Sequence, residues 1–273
     1  MNSKQNLNIN IIHKDPYNHL GSKQFLNTLN KKIKNIYNLQ KGTNSNLLLE
    51  FTNKEYAIYK PEIGERPLYD FPTGCLYKRE YASYIFSLLL GWPNIPPTFV
   101  VDINPFGHGS IQKIIVNKGL NYFDLLSIKT NDFFKFSIFD FLINNADRKG
   151  GHCILDDENK LWSIDHGVTF HEIFKVRTVM FDVWEKIIPE KIINEITQLK
   201  LKFINDKNIQ NLFKELLSKN EIEAIIERLD LILETKKLPS INQCDNIPLF
   251  SDQEIHLPSI FSTEGMNNAE TTV

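Results

Sequence analysis

Residues 131–145, NDFFKFSIFDFLINN, constrain the fold more than any other stretch of the chain. Aromatic and aliphatic side chains fall nearly all round a helix of this sequence, so the helix has no solvent face and must be buried. It runs into a short polar loop, Asn145 to His152. Two β-type runs follow, CILDD and KLWSID, joined by the turn-prone DDENK, and the second delivers Asp165 into a Gly-containing turn. Two carboxylates, Asp147 and Asp165, are thereby set in loops at the ends of packed elements. Loops on rigid scaffolds are where catalytic groups usually lie.

Burying such a helix needs a sizeable core. The chain has 273 residues, 42% of them hydrophobic, enough for one domain with two lobes. Between about Asn35 and Lys60, the runs IYNL, NLLLEF and YAIYK are separated by the turn-rich KGTNSN and TNKE, a pattern that predicts a three-stranded antiparallel meander. After PEIGERPLYDFPTG, the stretch CLYKREYASYIFSLLL predicts an amphipathic helix, stopped by Gly91 with Pro93 just beyond. Thr98 to Val101 and Ser110 to Val116 read as two further strands. From about Pro189 to Lys237 apolar residues recur at three- and four-residue spacing, most clearly in EIEAIIERLDLILE. The expected class is α+β and bilobal: a β-rich N-lobe at about 34–117 and an α-rich C-lobe at about 118–237, around a cleft. Residues 1–33, rich in Asn, Lys and Gln, read as a mobile or loosely packed arm. Residues 238–273 read as an irregular tail.

Several classes are disfavoured. The chain has 31 basic and 33 acidic residues, so it lacks the basic excess of a general nucleic-acid binder. Cys75, Cys153 and Cys244 are odd in number and far apart, which argues against a disulfide framework or a zinc–thiolate site. MNSKQNLNINIIHKD has no signal-peptide apolar core. YIFSLLLGW and FFKFSIFDFLI are too short or too interrupted to span a bilayer. The expectation is a cytoplasmic protein without stable membrane insertion.

The residue pattern suits phosphoryl transfer. That reaction needs one carboxylate to orient or deprotonate an acceptor hydroxyl and another to hold the metal that bridges nucleotide phosphates. Asp147 and Asp165 are the candidates. Lys60, at the C-terminal end of its strand, can meet phosphate oxygens as a point charge, and Glu80 in the next helix is its expected partner. Gly42, Thr43, Asn44, Ser45 and Asn46 lie between the first two strands of the meander. They can aim backbone N–H groups at phosphate, or form an ordinary hairpin turn.

Together the order of meander, strand lysine, helix glutamate, buried helix, Asp-Arg loop, strand pair and Ile-Asp-x-Gly resembles the protein-kinase-like fold, in particular its phosphatidylinositol 3-/4-kinase-like branch, over residues 36 to 235 or so. YKPEIGERPLYDFPTG, LGWPNIPPT, FLINNADRKGGH and LWSIDHGVTFH are similar to a bacterial family of small phosphatidylinositol 3-/4-kinase-like proteins. The resemblance implies that Lys60 contacts ATP phosphates, that Asp147 is the catalytic aspartate and that Asp165 holds the metal. His152 stands where many relatives have a metal-binding Asn, and His166 replaces the Phe of Asp-Phe-Gly. Imidazole suits Mn²⁺ better than Mg²⁺, so either His152 orients a phosphate or a water, or it joins Asp165 on a preferred metal other than Mg²⁺; the cofactors expected are ATP and Mg²⁺ or Mn²⁺. Arg66, Arg148, Lys175 and Arg177 are candidate substrate or phosphate contacts, with solvated loop positions as the plain alternative. The partners implied are ATP and an acceptor. Without a polybasic cluster for anionic lipid, that acceptor is expected to be a protein or a small molecule. Two rivals stay open: a catalytically silent kinase-like nucleotide-binding module, and a metal-dependent phosphohydrolase built on His152, His166, His171, Asp147 and Asp165.

Overall fold

The computed structural model describes residues 7–39 and 44–248. The β-type runs of the N-terminal part assemble into one six-stranded antiparallel sheet. Its strands are β1 (Ile9–His13), β2 (Ile33–Leu39), β3 (Asn46–Phe51), β4 (Tyr56–Pro61), β5 (Thr98–Ile103) and β6 (Gly107–Lys113), in the order β1-β5-β6-β4-β3-β2. The meander is β2-β3-β4. In β4 the alternation buries Ala57, Tyr59 and Pro61 and leaves Ile58 and Lys60 half-buried on the other face. The strand read at Ser110 to Val116 begins three residues earlier, at Gly107, and pairs with both β4 and β5.

The N-terminal arm requires a correction. Residues 9–29 are packed structure: β1 pairs with β5, with Ile9 opposite Ile103 and Ile11 opposite Val101. Helix α1 (Leu20–Leu29) buries Phe25 and Leu29 against the sheet, with Phe25 and Phe99 rings 5.4 Å apart. The Asn-, Lys- and Gln-rich composition hid a period-two strand, Ile9 and Ile11, and a helical pair, Phe25 and Leu29.

Helix α2 (Leu76–Leu90) joins the two lobes. It is buried on nearly every face. Its first turn is capped from a distance by Glu65, whose carboxylate accepts the N–H groups of Leu76 (3.1 Å) and Tyr77 (2.8 Å). That satisfies two of the donors a helix start leaves free. Gly91 ends the helix at φ 90°, a left-handed conformation that glycine adopts at little cost.

The C-lobe holds α3 (Tyr122–Leu125), α4 (Thr130–Leu142), the hairpin β7 (Cys153–Leu155) and β8 (Leu161–Ser163), then α5 (Glu190–Asn205), α6 (Lys207–Leu216) and α7 (Lys219–Thr235). Its core continues into α2. Phe86 of α2 lies about 6 Å from the rings of Phe139, Phe170, Phe203 and Phe213, so one aromatic cluster ties the glutamate-bearing helix to four C-lobe segments. The described part of the tail is irregular yet docked. Leu238 is buried. Asn246 accepts the Thr178 N–H at 2.7 Å and donates its side-chain amide to the Val176 carbonyl at 2.6 Å. The architecture is thus α+β, a β-sheet N-lobe beside a helical C-lobe. Among the described residues no helix is long and apolar enough to cross a membrane.

Candidate active site

Strand β4, helix α2 and the turn after β8 converge on one lysine. The Lys60 ammonium pairs with Glu80 and lies 3.0 Å from Asp165 Oδ1. Burial alone would favour losing its proton, but the charges of Asp165 and Glu80 outweigh that and hold it above the usual lysine range. One cation between two carboxylates leaves an excess negative charge. Burial pushes the Glu80 carboxyl up, with Lys60 opposing, whereas at Asp165 the Lys60 charge overcomes burial and holds the carboxyl well below its usual range. Glu80 also accepts the His166 N–H at 3.0 Å, tying the turn that carries Asp165 to α2.

Asp165 sits at φ 60°, in the left-handed region. Aspartate visits it more readily than most residues, at a cost of about 1 kcal/mol. Such conformations persist only where the surroundings over-determine them. Here Lys60 and the Glu80–His166 bond do so.

The loop at the end of α4 is built around Arg148. Its guanidinium grips both oxygens of Asp140 (2.7 and 2.8 Å), donates to Ser163 Oγ (2.8 Å) and reaches the His152 carbonyl (3.1 Å), all fully buried. Arg148 is therefore no substrate contact; it is the internal anchor of the loop. Asp140 is the signal for it. A carboxylate set in the apolar interior of a buried helix must find a partner. Backbone bonds from Ala146 to Val168 (2.9 Å), from Arg148 to Arg177 (2.9 Å) and from Arg177 to Asn145 (3.0 Å) lock the loop against the segment after Asp165.

Asp147 emerges from this frame half-buried, its N–H donated to Asn145 Oδ1 at 3.0 Å. Burial pushes its carboxyl up to about 6, against the pull of Lys149, whose ammonium lies 2.9 Å away. Lys149 was missed in the sequence because a basic residue beside Asp-Arg looks like a solvated loop position. A carboxylate titrating near neutrality in a cleft is suited to accept a proton.

His152 is buried on the C-lobe side of Asp165. Its Nε2 is 3.4 Å from Asp165 Oδ2, and neither ring nitrogen has a hydrogen-bond partner. Burial pulls its pKa down to about 4, so the ring is neutral at physiological pH. An ionised carboxylate beside an unpartnered neutral imidazole is a donor pair that suits a divalent cation whose other ligands come from elsewhere. No group of three or more His, Cys, Asp or Glu side chains among the described residues could hold an ion alone.

The proposed five-residue hydrolase cluster is not assembled. His166 Nε2 meets Ser163 Oγ (2.8 Å) and Arg148 Nη2 (3.1 Å); a guanidinium can only donate, so Nε2 is an acceptor and the ring serves the Arg148 anchor. His171 accepts the Ile173 N–H at 3.0 Å and packs edge-on against Phe71.

The remaining candidates scatter. Thr43 lies outside the described residues. Asn44 Oδ1 accepts the Arg66 N–H at 2.9 Å, and the Ser45 N–H donates to the Gly64 carbonyl at 2.9 Å. A Cβ on Gly64 would meet the Ser45 oxygen at 2.3 Å, so only glycine permits this approach. These bonds tether the segment from Asn44 to the stretch after β4. The Arg66 side chain is exposed. Lys175 and Arg177 both lie on Asp70, at 3.2 and 3.3 Å; as free cations for an acceptor they are already engaged.

No family model matches the chain. It is 30% identical over 200 residues to Protein Rv2133c of Mycobacterium tuberculosis (strain ATCC 25618 / H37Rv), spanning 59% of this chain and 72% of that protein. Among solved structures it is similar to the Golgi casein kinase (15% identity, TM-score 0.46, 77% of this chain and 74% of that one). It is also similar to that kinase with Mn/ADP bound (16%, TM-score 0.48, 85% and 77%) and to the Helicobacter pylori proinflammatory kinase CtkA (12%, TM-score 0.48, 76% and 93%). The chemistry of the site therefore rests on the chain's own residues.

Proposed function

The chain belongs to the family of Protein Rv2133c of Mycobacterium tuberculosis, and for it we propose an ATP- and metal-dependent phosphotransferase acting on a hydroxyl of a protein or small molecule. The observation that carries this reading is Lys60 held between Glu80 and Asp165. A strand lysine fixed by a helix glutamate and facing a second carboxylate is what positioning of a nucleotide's phosphates requires. The order of these residues supports a place near the phosphatidylinositol 3-/4-kinase-like branch.

In this reading Lys60 contacts the phosphates of ATP, and Asp165 with His152 would hold a divalent cation. When bound, such a cation neutralises charge on the phosphates and supplies Lewis acidity at their oxygens. Asp147 orients the acceptor hydroxyl and takes its proton as the oxygen–phosphorus bond forms and the bond to the ADP oxygen breaks. Lys149 keeps Asp147 ionised near neutrality. Arg148, Asp140 and Asn145 fix the loop so that Asp147 needs no reorganisation on binding.

The test is ATP turnover or autophosphorylation by the purified chain, with Mg²⁺ and Mn²⁺ compared, beside Asp147→Ala. Turnover should fall by about 10²- to 10⁴-fold in the variant, with ATP binding retained. Full turnover in Asp147→Ala would sink the assignment.

A further inference from the structure

Among the described residues of the site, His152 is the buried side chain whose two ring nitrogens the hydrogen-bond network leaves unused. Its side chain is 4% exposed, its Nδ1 and Nε2 are both unpartnered, and Nε2 lies 3.4 Å from Asp165 Oδ2. A ring nitrogen left unpartnered in a protein interior forfeits its hydrogen bonds to water without replacement, which points to a ligand. The neighbours that could have satisfied it are committed elsewhere: Lys60 to Glu80 and Asp165, Arg148 to Asp140, and Lys149 to Asp147. Two donors each about 2.1 Å from one ion and in adjacent coordination positions stand about 3 Å apart. The Nε2 to Oδ2 separation is close to that value, and Lys60 is held by the other oxygen of Asp165, which leaves Oδ2 without a cation of its own.

We infer that His152 Nε2 and Asp165 Oδ2 form a mixed nitrogen–oxygen half-site that selects Mn²⁺, or a later divalent metal, over Mg²⁺. The inference rests on the phosphotransferase reading, because the remaining ligands of the ion are nucleotide phosphate oxygens and water. Its chemical basis is ligand type. Mg²⁺ takes oxygen donors in a strict octahedron and gives up water reluctantly, whereas an imidazole nitrogen favours Mn²⁺ and the metals after it.

The experiment uses the full chain with Mn²⁺ and β,γ-methylene-ATP, which has no bridging nitrogen, in frozen solution, read by electron spin echo modulation. Modulation from a directly bound ¹⁴N is expected, and it should vanish in His152→Asn, whose amide can offer oxygen instead. In the same variant the ratio of Mn²⁺ to Mg²⁺ affinity, measured with the analogue present, should fall by about tenfold. Mn²⁺ bound without nitrogen modulation, or with modulation that persists in His152→Asn, overturns the half-site and leaves the phosphotransferase reading standing. Failure of the chain to bind Mn²⁺ and the analogue together overturns both.

Discussion

At Asp147 the burial of a carboxyl carries a cost in stability. Its carboxyl is pushed up to about 6 in the folded chain, chiefly by burial. Below the ordinary carboxylate range both folded and unfolded forms are protonated and the residue is neutral in its effect. As pH rises through 4 to 6 the unfolded chain ionises first, so the folded state is progressively penalised, and the full penalty is present above 6. Asp147→Asn should therefore melt about 5 °C higher than the parent at pH 7.5 and no higher at pH 4, read by calorimetry. In the proposed reaction the sign is opposite: Asp147 takes a proton only when ionised, so kcat/KM should fall as pH drops through about 6. Lys149 favours the ionised form, and Lys149→Met should move that acid limb to higher pH. A limb that stays in place would detach Lys149 from Asp147 in function. Lys60 and Glu80 were readable in the sequence because a strand lysine and a helix glutamate follow in the right order. Asp140 signalled that a partner was needed, but that Arg148 supplies it was not readable, because pairing across eight residues depends on where the helix ends.

Among the elements, α2 decides whether Glu80 reaches Lys60. It is held from three sides. Glu65 caps its start, Phe86 enters the aromatic cluster, and Arg79 pairs with Glu221 while donating to the Thr169 carbonyl. Glu221 is itself the reciprocal cap of α7: it accepts the Ser218 N–H at 2.8 Å. The guanidinium thus joins the helix of the N-lobe to the start of α7 and to the segment after Asp165. Arg79→Ala leaves Glu221 without its buried partner and should cost about 3–5 kcal/mol in urea unfolding. A loss under 1 kcal/mol would mean that the aromatic cluster alone holds α2. The helix itself was legible from its apolar pattern and from Gly91. Its caps were not, since Glu65 lies eleven residues before Leu76 and Arg79 pairs across 142 positions.

At the scale of the whole molecule, the site joins groups from both lobes: Lys60 and Glu80 from one, Asp147, His152 and Asp165 from the other. A ligand that binds this assembled state raises stability by RT ln(1 + [L]/Kd), about 2.7 kcal/mol at a hundredfold excess over Kd. ATP with Mn²⁺ should accordingly raise the melting temperature, and Lys60→Met should abolish most of the rise. An unchanged melting temperature at millimolar nucleotide would count against nucleotide binding. The sequence by itself determined the two textures, the meander, the buried α4, the hairpin and the identities of the central lysine and carboxylates. Each of these is written in local periodicity and turn chemistry, which act over a few residues. The tertiary structure alone decided that residues 9–29 belong to the sheet lobe, that Arg148 points inward, that Lys175 and Arg177 are occupied by Asp70, and that His152 is left unpartnered beside Asp165. Those outcomes depend on which distant groups burial brings together. Electrostatic and hydrogen-bond demands in a low-dielectric interior are met across the fold, so their solution has no local signature.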